Sequence, residues 1–205
     1  MAGLDLLVRP AIPADLERLV ALFQGPAPHL ALPAVTPQAA RARPAPALSA
    51  EAARARLALA LFESPPRARL LLAAQHGRDL GFLTWNTSFP SARLGCRVVI
   101  EDIFVLAEAR GQGVGLALLR AAAREAQRLG AEELSWTTEA GNRGARRFYD
   151  RIGAAVRDKV VYRMAAATLL ETLGLGRHTP LARAARRRRT HWPDRAAAFA
   201  ALRGR

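Results

Sequence analysis

Cysteine is nearly absent from this chain. With Cys96 alone in 205 residues, no internal disulfide can form and no cysteine-rich metal site is available. Cys96 itself, at a strand start, reads as inert packing. His29, His76, His178 and His191 do not supply the missing ligands either, because no two stand at ligand spacing. Long apolar runs are also missing. Leu57 to Phe62 and Leu70 to Ala74 fall far short of the ~20 residues that a membrane helix needs. Asp5 and Arg9-Pro10 interrupt the N-terminus before a secretory apolar region can form. Lysine is reduced to Lys159, so the basic charge is arginine almost throughout. These absences lead to the expectation of a cytoplasmic protein without metal or membrane anchor.

Hydrophobic residues make up 51% of the chain, which argues against wholesale disorder. The net charge of +14 suggests nucleic acid until it is located. Residues 165–205 hold nine basic and two acidic residues, so this stretch carries +7 and the rest is spread thinly. Arg186 to Arg189 and Trp192-Pro193 lie within it. Two readings stay open there: a solvated basic extension, or an arm for RNA, the ribosome or another acidic partner.

Leu4, Leu6 and Val8 alternate with Asp5, Leu7 and Arg9 and predict a first strand. Pro13-Ala14-Asp15 opens a helix to about Phe23, and Leu16, Leu19, Val20 and Phe23 share one face. The proline- and alanine-rich stretch 25–47 reads as a loop, and Ser49 as the N-cap of a helix over about 50–63. Arg69 to Gln75 and Leu80 to Trp85 form a hairpin around His76-Gly77-Arg78-Asp79, followed by a loop over Asn86 to Gly95. Arg97 to Val105 predicts a strand and Val114 to Leu129 a helix with Leu118, Leu119, Ala122, Ala126 and Leu129 on one face. A strand over Leu134 to Thr138, a helix over Gly144 to Arg151 and a strand over Arg157 to Met164 complete the order β-α-α-β-β-β-α-β-α-β. That order predicts an α/β fold with helices on a mixed sheet. Trp85 and Trp136 read as sheet packing.

Between the strand and helix of the middle segment stands Arg110-Gly111-Gln112-Gly113-Val114-Gly115. Alternate glycines let the backbone turn without side chains in the way, and the following helix N-terminus supplies orphan N–H groups. This is either a phosphate cradle or a plain connecting loop. Leu116 and Ala117 stand where a nucleotide-binding loop needs Lys and Ser/Thr, and a dinucleotide fingerprint lacks its third glycine.

The run Ile100-Glu101-Asp102-Ile103-Phe104-Val105 followed by Arg110-Gly-Gln-Gly-Val-Gly resembles the acyl-CoA motif of the GNAT acetyltransferase superfamily. Asn142-Arg143-Gly144-Ala145-Arg146-Arg147-Phe148-Tyr149, then Gly153-Ala154, is similar to its second motif. Phe89 to Gly95 leading into Glu101-Asp102 resembles the spermidine/spermine (diamine) N-acetyltransferase branch. The resemblance implies a mostly antiparallel central sheet flanked by helices over residues 1–164, with residues 165–205 as an Arg-rich extension, helical or weakly ordered. It implies acetyl-CoA as co-substrate and a homodimer. By the same resemblance, the backbone of Ile103, Phe104 and Val105 bonds pantetheine, and Arg110, Gly111, Gln112, Gly113, Val114, Gly115 and Leu116 hold the pyrophosphate. Asn142, Arg143, Gly144 and Ala145 flank the CoA arm, and Ser135, Trp136 and Thr137 overlie the acceptor.

Acetyl transfer to an amine requires a neutral nucleophile, and an alkyl ammonium titrates near pH ~10, so a base must take its proton. On a regular strand Glu101 shares a face with Val99, Ile103 and Val105, while Asp102 points the other way. Glu101 is then either an acceptor ligand and base or a core carboxylate paired with arginine. Tyr149 is a candidate general acid for the thiolate, or a residue packing its helix on the sheet. A backbone N–H near Val105 suits the oxyanion. The expected function is N-acetylation of a primary amine of a small molecule (amine, amino acid or diamine). The alternative is a nucleic-acid- or ribosome-associated protein acting through its tail, including a protein N-acetyltransferase. No Asp or Glu occurs from residue 18 through 50, where Arg18, Arg41 and Arg43 stand instead, which disfavours long polycations.

Overall fold

A computed structural model describes residues 6–25, 48–92, 94–158, 161–162 and 164–173. The expectations for the loop over 26–47, with His29, Arg41 and Arg43, and for residues 174–205, with His178, His191, Arg186 to Arg189 and Trp192-Pro193, lie outside them, as does Arg93. Two compact units divide the chain: residues 1–32 with 45–157, and residues 33–44 with 158–205.

The first unit is built on a five-stranded sheet in chain order: β1 (Leu6–Pro10), β2 (Arg69–Gln75), β3 (Arg78–Ser88), β4 (Cys96–Val105) and β5 (Ala131–Ser135). The first three pairings are antiparallel and β4–β5 is parallel. Its helices are α1 (Leu16–Gln24), preceded by a 3-10 turn at Pro13–Asp15, α2 (Ala50–Leu61), α3 (Val114–Arg128) and α4 (Arg143–Arg151). Ser49 caps α2 as expected, its hydroxyl accepting from the Ala52 N–H at 3.1 Å. The hairpin turn is tighter than the sequence suggests. His76 and Gly77 both take positive φ, 49° and 77°, so two residues suffice and β3 begins at Arg78.

Leu70 to Ala73 and Leu80 to Trp85, Gly81 aside as a residue without a side chain, form continuous buried runs. That pattern belongs to strands covered on both faces. On one face the Phe23 ring of α1 stacks on Phe82 at 4.5 Å, and Phe82 meets Phe104 at 5.4 Å. On the other, the start of α3 approaches β4: a Cβ on Gly115 would stand 3.8 Å from Val105 Cγ2. Leu118, Leu119, Ala122 and Ala126 bury the apolar stripe of α3, as their spacing predicts.

Two strand expectations need correction. The fourth inter-helix strand runs over Ala131–Ser135 rather than Leu134 to Thr138, because its partner Cys96 to Val99 is met at Ala131 to Ser135 and Trp136 turns away into coil. No strand forms at the described residues of Arg157 to Met164, where Val161 and Tyr162 are 65% and 91% exposed. Strand propensity expresses itself only against a partner ladder, and these residues have none. In the second unit the described helix is α5 (Ala166–Thr172).

Asp15 ties the entrance of α1 to β1. It is 2% exposed, accepts two 2.7 Å bonds from the Arg9 guanidinium and takes the Ile12 N–H at 2.9 Å. Arg18 adds a second cation at 3.5 Å and itself bonds Asp79 of β3. The Arg9 hydrogen bonds hold the Asp15 carboxyl below its ordinary value despite its burial, with help from Ile12 and Arg18. A carboxylate depressed in the fold stabilises above its unfolded pKa of about 3.9 and loses that contribution as pH falls through the folded value. Asp15→Asn should therefore cost about 1.5–3 kcal/mol near neutrality, the range for hydrogen bonds to charged groups. Urea titrations at pH 7 and across the range below pH ~4 check this, and the two proteins should converge at the acid end.

Candidate active site where β4 leaves β5

The parallel pairing of β4 with β5 ends at Val99↔Ser135, whereas β3 follows β4 as far as Gly81↔Val105. Beyond Val99, then, β4 keeps one neighbour, and among the described residues no strand pairs with its other edge. Strand alternation decides which groups face that gap. The Leu106 N–H bonds Leu80 O at 2.9 Å, and Phe104 O stands against the place a Gly81 Cβ would take, so residues 104 and 106 turn their peptide groups toward β3. Ile103 and Val105 turn theirs to the gap. Of the three residues expected to offer backbone to an extended ligand arm, Phe104 does not face the gap. The Val105 carbonyl is already taken, accepting from Arg110 Nε at 3.1 Å.

The strand runs through a 3-10 turn at Ala107–Ala109 into the glycine loop. Gly111 and Gly113 take φ of 78° and 84°, and a Cβ at either would meet nothing within 4 Å. Glycine is needed there for backbone conformation, and the space above the loop is open. Gln112 braces the turn, donating from Nε2 to Glu108 O at 2.7 Å. The α3 ladder starts with Ala117 N–H to Gly113 O, which leaves the N–H groups of Val114, Gly115 and Leu116 outside it. Orphan donors, the helix dipole and exposed Arg110 together favour an anion.

Helix α4 stands beside this loop, with Phe148 carbons 3.7–3.9 Å from a Cβ on Gly115. Asn142 caps α4, its Oδ1 accepting from the Ala145 N–H at 3.1 Å, so that side chain is engaged within its own helix. Arg143 and Gly144 are exposed and Ala145 half-buried. Tyr149 is half-buried between Phe148 and Trp136, ring centroids 5.3 and 5.2 Å away. Burial pushes its phenol above the ordinary value of 10.0, which keeps the proton on oxygen at neutral pH. Packing and proton donation are compatible here: the ring is held and the hydroxyl stays a donor. Ser135 closes the β4–β5 ladder, and Trp136 and Thr137 follow it in coil.

The acidic pair departs from expectation. Thr84 pairs with Asp102 and Trp85 with Ile100, so Glu101 is an extra residue in β4, a β-bulge. The bulge reverses the alternation between Ile100 and Asp102. Glu101 reaches Asn86, whose Nδ2 donates to Oε1 at 2.7 Å, and Thr84 Oγ1 donates to Asp102 Oδ2 at 3.0 Å. Thr84 and Asn86 lie two apart on β3 and share a face, so Glu101 and Asp102 share it too. Glu101 is exposed rather than a core carboxylate, and it no longer lies with Ile103 and Val105. Sequence reasoning placed Asn86 in a loop and gave Thr84 no role. A bulge shifts register without a composition signal, and this hid both. Arg18, expected over the acceptor, is held by Asp15 and Asp79. Among the described residues no His/Cys/Asp/Glu group could hold a metal, and no helix is long and apolar enough to cross a membrane.

Comparison with known proteins agrees with this architecture. The chain is 36% identical over 81 residues to an uncharacterized N-acetyltransferase, YhfO, of Bacillus subtilis (strain 168), covering 40% of the chain and 54% of that protein. It is 36% identical over 76 residues to the L-ornithine N5-acetyltransferase NATA1 of Arabidopsis thaliana, covering 37% of the chain and 33% of that protein. The match thus spans about half of the first relative's length and a third of the second's. An integron cassette protein from the mobile metagenome of V. cholerae superposes with a TM-score of 0.64 at 26% identity, covering 83% of this chain and 99% of that one. The Acetyltransferase (GNAT) family profile matches residues 36–154, more than half of the chain. With the parted β4 and β5 and the glycine cradle between β4 and α3, this protein belongs to the acetyltransferase (GNAT) family.

Proposed function

We propose that this chain transfers the acetyl group of acetyl-CoA to a primary amine of a small molecule, within a catalytic domain over residues 1–164. The observation that carries the reading is the parting of β4 from β5. It leaves the N–H and C=O of Ile103 and the N–H of Val105 facing a gap that leads to the anion cradle at Gly111 to Leu116. An amide-bearing pantetheine arm has the donors and acceptors to complete that edge, and a pyrophosphate has the charge for the cradle.

The thioester carbon then lies near Val105, whose N–H is a preorganised donor for the carbonyl oxygen as it gains charge. Glu101 and Asp102 draw the acceptor ammonium, and Glu101 takes its proton directly or through water. The freed amine attacks the carbonyl carbon, the new C–N bond forms, and the C–S bond breaks. Tyr149 gives its proton to the departing thiolate, the acylated nitrogen returns its surplus proton to the phenolate directly or through water, and Glu101 releases the first proton to solvent, so the products are the N-acetylated amine and CoA with its thiol restored. Two carboxylates on one face, with Arg18 engaged elsewhere, suit a diamine or an amino acid with a side-chain amine as well as a monoamine. The likeness to an ornithine acetyltransferase supports the amino-acid class.

Four measurements bear on this. CoA release should be detected with at least one of butylamine, putrescine, spermidine and L-ornithine, and silence across the panel overturns the proposal. Gly113→Asp should abolish acetyl-CoA binding in calorimetry while circular dichroism remains native, because a carboxylate would enter the phosphate cradle. Tyr149→Phe should lower kcat by the roughly 10²–10⁴-fold typical of acid–base groups with acetyl-CoA affinity unchanged. In the unsubstituted protein, activity that depends on the phenol proton should persist to pH values above 10.0.

A further inference from the structure

Arginine is so abundant here that an acid can readily find one: 31 basic residues face 17 acidic ones. Asp15, Asp79, Glu17, Glu108 and Glu125 all sit against arginines. Among the described residues no arginine is paired with Glu101 or Asp102. Their partners are the amide of Asn86 and the hydroxyl of Thr84, neutral donors that orient a carboxylate without cancelling its charge. Thr84 is 8% exposed and, with Asp15, one of two buried polar residues among those described. Burying a hydroxyl costs free energy unless it is bonded, and its bond goes to Asp102. The bulge makes the second donor necessary. The bulged residue is left out of the ladder, so the pleat does not aim Glu101, and a long carboxylate side chain turns freely unless something holds it.

We propose that Thr84 and Asn86 are positioning residues for the acceptor site. Thr84 fixes Asp102 as an ammonium ligand and Asn86 fixes Glu101 as the proton acceptor, so both present their remaining oxygens to the amine from one face of the sheet. The inference rests on the proposed function, because it takes Glu101 and Asp102 as the groups that meet the acceptor.

The test uses the full chain and whichever of the four panel amines has the highest kcat/KM. Thr84→Val keeps the shape and removes the donor. It should raise KM for the amine about tenfold, the factor of a modest hydrogen bond to a charged group, and leave KM for acetyl-CoA unchanged. Thr84→Ser, which keeps the hydroxyl, should restore it. Asn86→Ala should lower kcat by a similar factor, and in a Glu101→Gln background it should add nothing, since the two act as one unit. A purely structural role would instead give additive losses, no rescue by serine and a change in acetyl-CoA affinity. Should Thr84→Val unfold, Asn86 lies on a half-buried rim and carries the test alone. A disabled Glu101→Gln beside unimpaired Asn86→Ala and Thr84→Val overturns the positioning role and leaves the proposed function standing. Full activity in Glu101→Gln and in Asp102→Asn overturns this proposal together with the catalytic roles given to those acids.

Discussion

A strand that loses a neighbour halfway along its length must still satisfy its backbone. Among the described residues β4 is paired on both sides up to Val99 and on one side beyond it, and that half-open edge organises the surroundings. The Val105 carbonyl is satisfied from within, by Arg110 of the glycine loop. The groups that remain are the ones an extended amide can complete. The gap exists because β5 is short and Trp136 leaves the strand direction to pack against Tyr149. One aromatic contact therefore both ends the ladder and seats the candidate acid.

The two faces of the sheet divide the chemistry. Phe82, Phe104 and the stacked ring of Phe23 make the α1 face apolar near its middle, and the Thr84–Asp102 and Asn86–Glu101 pairs follow along the same face. Ile103 and Val105 turn to the face that α3 and α4 approach, where Gly115 and Phe148 meet Val105. Such a division puts the two carboxylates on one face of the strand and the Val105 side chain on the other. Between the two faces the strands approach closely at Gly81, where Phe104 O leaves no room for a Cβ.

Much of this was legible in the sequence because it depends on local rules. Ser49 caps its helix because its side chain reaches the N–H group three residues on. Gly111 and Gly113 announce positive φ, and the stripe Leu118, Leu119, Ala122 and Ala126 announces the buried side of α3. Spacing within a few residues carries all of these features. The order of strands and helices as far as α4 followed from the same periodicities, with the N-terminal helix split only by its opening 3-10 turn at Pro13–Asp15.

The rest depended on partners distant in the chain. A strand over Arg157 to Met164 had the right residues, but its described residues join no ladder. Phe104 was placed with Ile103 and Val105, but the pairing with β3 turned its peptide away from the gap. Alternation along a lone strand put Glu101 and Asp102 on opposite faces, and the register with β3 brought them together by inserting one extra residue. The sequence by itself determined which residue types stand at the site, because composition and spacing are local. Which face each acid occupies, and whether Arg18 is free or engaged with Asp79, was decided only when β3 and α1 came to lie beside them. Register and ion pairing are properties of two segments, and neither segment specifies them alone.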